Sequence, residues 1–256
     1  MSAAENTSEM VAVPEAIARD AHIDAAKYKE MYEASITDPE AFWSEQGKTL
    51  NWSKPYSKVK NTTFAHPDVS IKWFEDGELN VAENCIDRHL ETRGDQVAII
   101  WEPDSPTEAS KHITYKELHT QVSKLANVYK SLGVGRGDRV ILYMPMIPEA
   151  AYAMLACARI GAIHSVVFGG FAADELAVRI DDAKPKAIIA ASCGIEPGKV
   201  IAYKPLLDSA IETARHAPAF CVIFQRPQCL ADLTPGRDYD WTDAQVGVPP
   251  AECLPV

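Results

Sequence analysis

Arg139-Val-Ile-Leu-Tyr-Met144, His164-Ser-Val-Val-Phe168 and Lys186-Ala-Ile-Ile-Ala-Ala-Ser192 are three short, largely apolar runs that decide the fold. Each has strand length, and the text between them has helical character. Pro148 sits where a first helical turn tolerates proline, and the helix it opens continues to Ile160 and stops at Gly161. Residues Ala172–Ala183 supply a second helix. Upstream, Thr114 with Glu117 three residues on matches a capping box. It opens an amphipathic helix with Leu118, Val122, Leu125, Tyr129 and Leu132 on one face and Gly133 as its stop. Further out, Glu83–Thr92 reads as a helix and Gln96–Trp101 as a strand; downstream, Pro205–Arg215 reads as a helix and Phe220–Gln225 as a strand. Strands apolar on both faces, alternating with helices, predict an α/β fold: a mostly parallel sheet with flanking helices.

The flanks read differently. Residues 1–26 are expected to form a mobile lead-in. Residues 27–84 carry Tyr28, Tyr32, Trp43, Trp52, Trp73 and Phe74 among scattered prolines, with no sustained period. They are expected to be an irregular helical and loop extension wrapped onto a neighbouring domain, the aromatics supplying buried area. Residues 85–256 are the α/β domain. Its last stretch, Pro227–Val256, is expected to be loop-like, with a turn at Pro235-Gly236.

The formal charge of −11 argues against a nucleic-acid surface. Six scattered cysteines without a C-x-x-C pair suit free thiols in a reducing cytoplasm. The acidic first 25 residues resemble no leader peptide, and no run approaches a membrane span, so a cytoplasmic protein is expected.

Two glycine-rich stretches are candidates for phosphate. Gly133-Val-Gly135-Arg-Gly137-Asp138 lies in the order helix, loop, strand, the wrong way round for a dinucleotide turn, and reads as a helix stop and tight turn. Phe168-Gly169-Gly170-Phe171 lies between strand and helix, the order that presents backbone N–H groups to an anion; a plain tight turn is the other reading. There is no P-loop, no H-E-x-x-H and no G-x-S-x-G. Asp181 and Asp182 are adjacent on a helix and do not face each other, so they are no acid/base dyad. No metal site is expected.

The blocks Gly137-Asp-Arg-Val-Ile-Leu-Tyr-Met-Pro-Met-Ile-Pro-Glu-Ala150 and Met154-Leu-Ala-Cys-Ala-Arg-Ile-Gly-Ala-Ile-His-Ser-Val-Val-Phe-Gly-Gly-Phe171 closely resemble the acetyl-CoA and propionyl-CoA synthetases of the adenylate-forming group. Trp73-Phe-Glu-Asp-Gly-Glu-Leu-Asn80 and Asp87-Arg-His-Leu90 extend the likeness, and residues 27–84 resemble that group's N-terminal extension. The resemblance implies the large N-terminal domain of that fold and a two-step ligase using ATP, coenzyme A and Mg²⁺. Its partners would be a short-chain carboxylate, ATP, coenzyme A and the enzyme's own C-terminal part, with no nucleic acid and no membrane.

By the same resemblance, Phe168, Gly169, Gly170 and Phe171, with Glu196, Pro197, Gly198 and Lys199, lie against coenzyme A. Glu196 and Lys199 stand where relatives commonly have arginines; Glu196 does not attract phosphate, whereas Lys199 does so as a point charge. Gly194–Val200, Tyr203-Lys-Pro-Leu-Leu207, Phe224-Gln-Arg-Pro-Gln228 and Pro235–Trp241 look more like propionyl-CoA synthetases, and Asp68–Trp101 more like acetyl-CoA synthetases, so the acid stays open between acetate and propionate. The Thr/Ser/Gly-rich ATP loop, the catalytic residues and the mobile C-terminal domain are not among these residues. The 256 residues alone are therefore expected to be inactive. The alternative is a non-catalytic remnant that binds coenzyme A or a partner.

Overall fold

The computed structural model describes residues 11–256 apart from Pro106, Phe171 and Pro197. Residues 1–10 of the expected lead-in, and Phe171 and Pro197 of the expected site, therefore lie outside the described residues. The chain forms two compact units, one of residues 1–50 and 56–76, the other of residues 51–55 and 77–256.

In the first unit, three helices precede a two-stranded sheet: α1 (Glu15–Asp20), α2 (Ala25–Thr37) and α3 (Pro39–Gly47), then β1 (Lys58–Thr63) antiparallel to β2 (Ser70–Glu75). The Asp24 carboxylate accepts from Lys27 N–H and caps α2, and Asp38 does the same for α3 through Ala41 N–H. The β-hairpin departs from the expected irregular extension. Its first strand, Lys-Val-Lys-Asn-Thr-Thr, buries only Val59, so it carries almost no apolar signal. The aromatics also bury less than expected. Phe64 is 75% exposed and Tyr28 63%, and the rings touch each other instead, with Trp43–Trp73 centroids 5.9 Å and Tyr56–Phe74 centroids 4.9 Å apart. So small a unit has little interior to offer them.

The second unit opens with α4 (Val81–Cys85), a 3₁₀ turn (Asp87–His89) and α5 (Leu90–Arg93), a broken form of the one helix expected there. Next come the antiparallel pair β3 (Val97–Trp101) and β4 (Lys111–Thr114), helix α6 (Tyr115–Ser131), β5 (Arg139–Met144), α7 (Pro148–Arg159), β6 (Ile163–Phe168), α8 (Ala173–Ala183) and β7 (Ala187–Ala191). The hairpin β8 (Cys193–Glu196) and β9 (Lys199–Ala202) leads into α9 (Tyr203–Thr213), β10 (Phe220–Phe224) and β11 (Asp238–Asp240). Strands β4, β8, β9 and β11 were not expected from sequence. Each has three or four residues and at most two buried ones, too short for a period.

The main sheet has the order β11-β10-β7-β5-β6 with every pair parallel, as the apolar runs predicted. Alternate residues feed two cores. Val140, Leu142, Ile189 and Val222 meet α6 and α7 on one face; Ile141, Tyr143, Ile188 and Ile223 meet α8 and α9 on the other. Edge strand β6 differs, since Ile163, Val166 and Phe168 are all more than half exposed. Asn80, 1% exposed, ties distant segments together: its amide donates to the carbonyls of Ala158, Arg159 and Leu254, at 3.0, 3.1 and 2.7 Å.

The capping box on α6 is formed: Thr114 Oγ1 accepts from Glu117 N–H at 3.2 Å, and the Glu117 carboxylate accepts from Thr114 N–H at 2.7 Å. Thr114→Ala is expected to cost about 1 kcal/mol in urea unfolding, as helix N-caps do. Unchanged stability would mean that tertiary packing alone holds the first turn.

Candidate functional site at the carboxyl ends of the strands

The chain leaves β5 for β6 on one side of it and later returns to lay β7 on the other, so the strand order reverses between β5 and β7. In an open parallel sheet the crevice outside the carboxyl ends at such a point is where ligands bind. Of the expected site residues, the described ones (Phe168, Gly169, Gly170, Glu196, Gly198 and Lys199) lie there.

Phe168 ends β6, is 69% exposed and precedes the glycine pair. A Cβ at Gly169 would stand 2.6 Å from the Tyr203 hydroxyl oxygen and 3.0 Å from the Met144 carbonyl, so a side chain there would have to displace the Tyr203 ring. Gly170 has φ +100°, and its N–H donates to the Tyr143 hydroxyl. Burial pushes the Tyr143 phenol up to about 12, with the Gly170 N–H pulling the other way. Helix α8 follows with no side-chain cap, and Asp174 and Glu175 occupy its first turn.

Glu196 and Lys199 close the tip of the β8–β9 hairpin as register partners, with Lys199 Nζ 2.9 Å from Glu196 Oε2. Both are well exposed, so the pair is screened and contributes little stability. Gly198, with φ +79°, makes the turn. The structure brings hairpin and glycine turn together: Glu196 Oε1 lies 3.6 Å from where a Gly170 Cβ would be. Beside the hairpin runs a groove of about 680 Å³, with Asp104, Glu108, Glu196 and Gln228 in its walls. The titratable side chains in its walls are acidic, and Lys199 stands beside it at the hairpin tip.

Two further residues shape this place and were given no role from sequence. Tyr203, 4% exposed, stands at the start of α9 with its ring 5.0 Å from that of Tyr143. Its pKa is raised, chiefly by burial and then by Glu196. Arg226, 6% exposed, donates from its backbone N–H to Ser192 Oγ at 2.8 Å and from its guanidinium to the Cys193 carbonyl at 3.3 Å. Both lie in stretches whose family likeness is visible, but a tyrosine at a helix start or an arginine after a strand carries no positional signal without its partners.

The remaining sequence candidates are structural. Gly133 and Gly137 have positive φ, and Asp138 accepts from Gly135 N–H at 2.8 Å, a helix stop and tight turn as read. Asp181 accepts from the N–H groups of Arg215 and His216, and Arg179 pairs with Glu175. Among the described residues no group of three or more His, Cys, Asp or Glu is placed to hold a metal ion, and no helix is long and apolar enough to cross a membrane.

A doubly wound α/β protein, with a glycine turn and a hairpin meeting at its switch point, is what fold and site define. The chain belongs to the AMP-binding enzyme family, whose model matches residues 86–251, while a model described as acetyl-coenzyme A synthetase N-terminus matches residues 28–85. It is 55% identical over 239 residues to an acetyl-coenzyme A synthetase of Methylorubrum extorquens, covering 93% of this chain and 36% of that protein. With the acetyl-coenzyme A synthetase of Methylobacterium radiotolerans it shares 61% over 204 residues, 80% of this chain and 31% of the other. The chain thus spans about a third of the length of the curated relatives it matches. Acetoacetyl-CoA synthetase from Streptomyces lividans has the same fold, with TM-score 0.77 at 24% identity over 90% of this chain and 34% of that one.

Proposed function

We propose that this chain supplies the coenzyme A-facing part of an AMP-forming ligase that joins acetate or propionate to coenzyme A. In such a ligase the carboxylate oxygen attacks the α-phosphorus of ATP and pyrophosphate leaves. The coenzyme A sulfur then attacks the acyl carbon of the adenylate, and AMP leaves with the C–O electrons. Membership of the AMP-binding family and the names of the relatives support the reaction class. The residues described here take no part in either bond change; their role is to hold the thiol carrier. Mg²⁺ would have to be held by other groups, since no metal cluster is found among the described residues.

The observation that carries this reading is the meeting of the Gly169–Gly170 turn with the Glu196–Lys199 hairpin outside the strand ends. Two glycines give a ligand close access to backbone, and Lys199 is the cation within reach of its phosphates. Phe168, Phe171, Pro197 and Gly198 complete the proposed contact surface. Six free thiols suit a reducing cytoplasm, where we place the protein.

Titration calorimetry of coenzyme A into the chain tests this. A saturable 1:1 heat is expected, and Lys199→Glu should weaken binding by about fivefold, the scale of an exposed charge contact. No heat at millimolar coenzyme A would sink the assignment.

A further inference from the structure

Two separate segments of the site, the turn after β6 and the β8–β9 hairpin, share one spacer. Tyr203 is the first residue of α9, and its N–H donates to the Ser192 carbonyl at 2.9 Å, which fixes it just beyond the end of β7. From there the ring leans on Tyr143 and its phenol end passes between two glycines on different elements. A Cβ at Gly194 of β8 would lie 2.2 Å from the Tyr203 hydroxyl oxygen and 2.4 Å from the carbon that bears it; a Cβ at Gly169 would lie 2.6 Å from that oxygen. Neither glycine could carry a Cβ unless the Tyr203 ring shifted, because real Cβ atoms do not approach so near. On the other side of the ring pair, Tyr143 holds Gly170 N–H. The glycine turn therefore rests on two tyrosines, one gripping it and one setting its distance from the hairpin.

We propose that Tyr203 is the positioning residue of this site: its ring, braced by Tyr143, spaces the Gly169–Gly170 turn from the Glu196–Lys199 hairpin so that both face one ligand. This rests on the reading that these segments meet coenzyme A. The action is steric. Tyr203 occupies the volume that Gly169 and Gly194 leave open, and a site loosened by about 1 Å at its supporting layer loses much of its function.

The test uses the whole chain with Tyr203→Ala, Tyr203→Phe and, should alanine prevent folding, Tyr203→Leu, which keeps an apolar contact with Tyr143. Amide hydrogen exchange is read at Gly170 and along β5 and β7, and coenzyme A affinity by calorimetry. In Tyr203→Ala, Gly170 is expected to exchange about tenfold faster with β5 and β7 unchanged, and coenzyme A to bind about tenfold more weakly, a loss of about 1.4 kcal/mol. Tyr203→Phe keeps the ring and should restore both readings to within about twofold.

Unchanged Gly170 exchange in Tyr203→Ala overturns the proposal. So does faster exchange with unaltered coenzyme A affinity, which would make the ring a packing group only. Uniformly faster exchange along β5 and β7 also overturns it, since that is a general loss of stability. If the unaltered chain gives no heat with coenzyme A, the assignment of the site falls and the positioning role falls with it. Heat in the unaltered chain and equal heat in Tyr203→Ala leaves the assignment standing and removes Tyr203 alone.

Discussion

Asp238→Ala is expected to destabilise the second unit by about 3–5 kcal/mol in urea unfolding, the cost of leaving a buried charge without its partner. The Asp238 side chain is 0% exposed and faces two cations: Lys204 Nζ at 2.9 Å and Arg237 Nε at 2.7 Å. Both cations also reach Asp208, Lys204 at 2.6 Å. The set is neutral with all four present; without Asp238, two cations share one carboxylate. A loss below about 1 kcal/mol would mean water reaches the cluster and screens it as at a surface.

The same residue should be visible in the acid limb of stability. Burial pushes the Asp238 carboxyl up, but hydrogen bonds from Arg237, from Thr234 N–H and from Lys204 outweigh it and hold the pKa at about 2. An unfolded aspartate titrates near 3.9, so the unfolded chain binds the proton first. The contribution, about 2 kcal/mol, is present above roughly pH 4 and lost as pH falls through 2. Asp238→Asn should remove that share of the pH dependence.

Asp87→Ala is the second large loss expected, again about 3–5 kcal/mol by the cost of an orphaned buried charge. Arg159 is 3% exposed; its guanidinium reaches Asp87 Oδ1 at 2.8 Å and the Ala251 carbonyl at 2.5 Å. Its other amino group lies 3.4 Å from His119 Nε2. Burial lowers the His119 pKa, Asp87 raises it and Arg159 lowers it further, so removing Asp87 takes away its one opposing influence. In the variant His119 should titrate at lower pH, a shift readable by NMR alongside the unfolding curve. Small effects on both readings would show that Ala251 and solvent suffice to hold the arginine.

What could be read from the amino-acid text tracks how apolar each element is. Strands β5, β7 and β10 are buried on both faces, so their runs are continuous and visible. Strand β6 was equally visible, yet it lies at an edge with four of its six residues exposed, which composition does not reveal. The β8–β9 hairpin received no reading, its strands of four residues each being too short to show a period. A turn dipeptide flanked by Ile195 and Val200-Ile201 is in fact the hairpin signal that was there. For the site, the glycine turn and hairpin tip were legible as residues, but their meeting was not. Nothing in the local text of Tyr203 or Arg226 points to Gly169, Gly194 or Cys193, since those contacts span 9 to 34 positions and exist only once the sheet has formed.

The amide of Asn80 has a temporal consequence as well as a spatial one. Its Leu254 partner is 174 residues further along the chain, and Leu79 exchanges backbone hydrogen bonds with Val256 beside it. On a ribosome adding about 5–20 residues per second, Asn80 emerges roughly 10 to 35 seconds before that partner does. Ala158 and Arg159 follow about halfway through that interval, so until its end the Asn80 amide lacks the last of its three acceptors. The apolar helices beside it wait for the late segment, and this is when chaperones would be most useful to the growing chain.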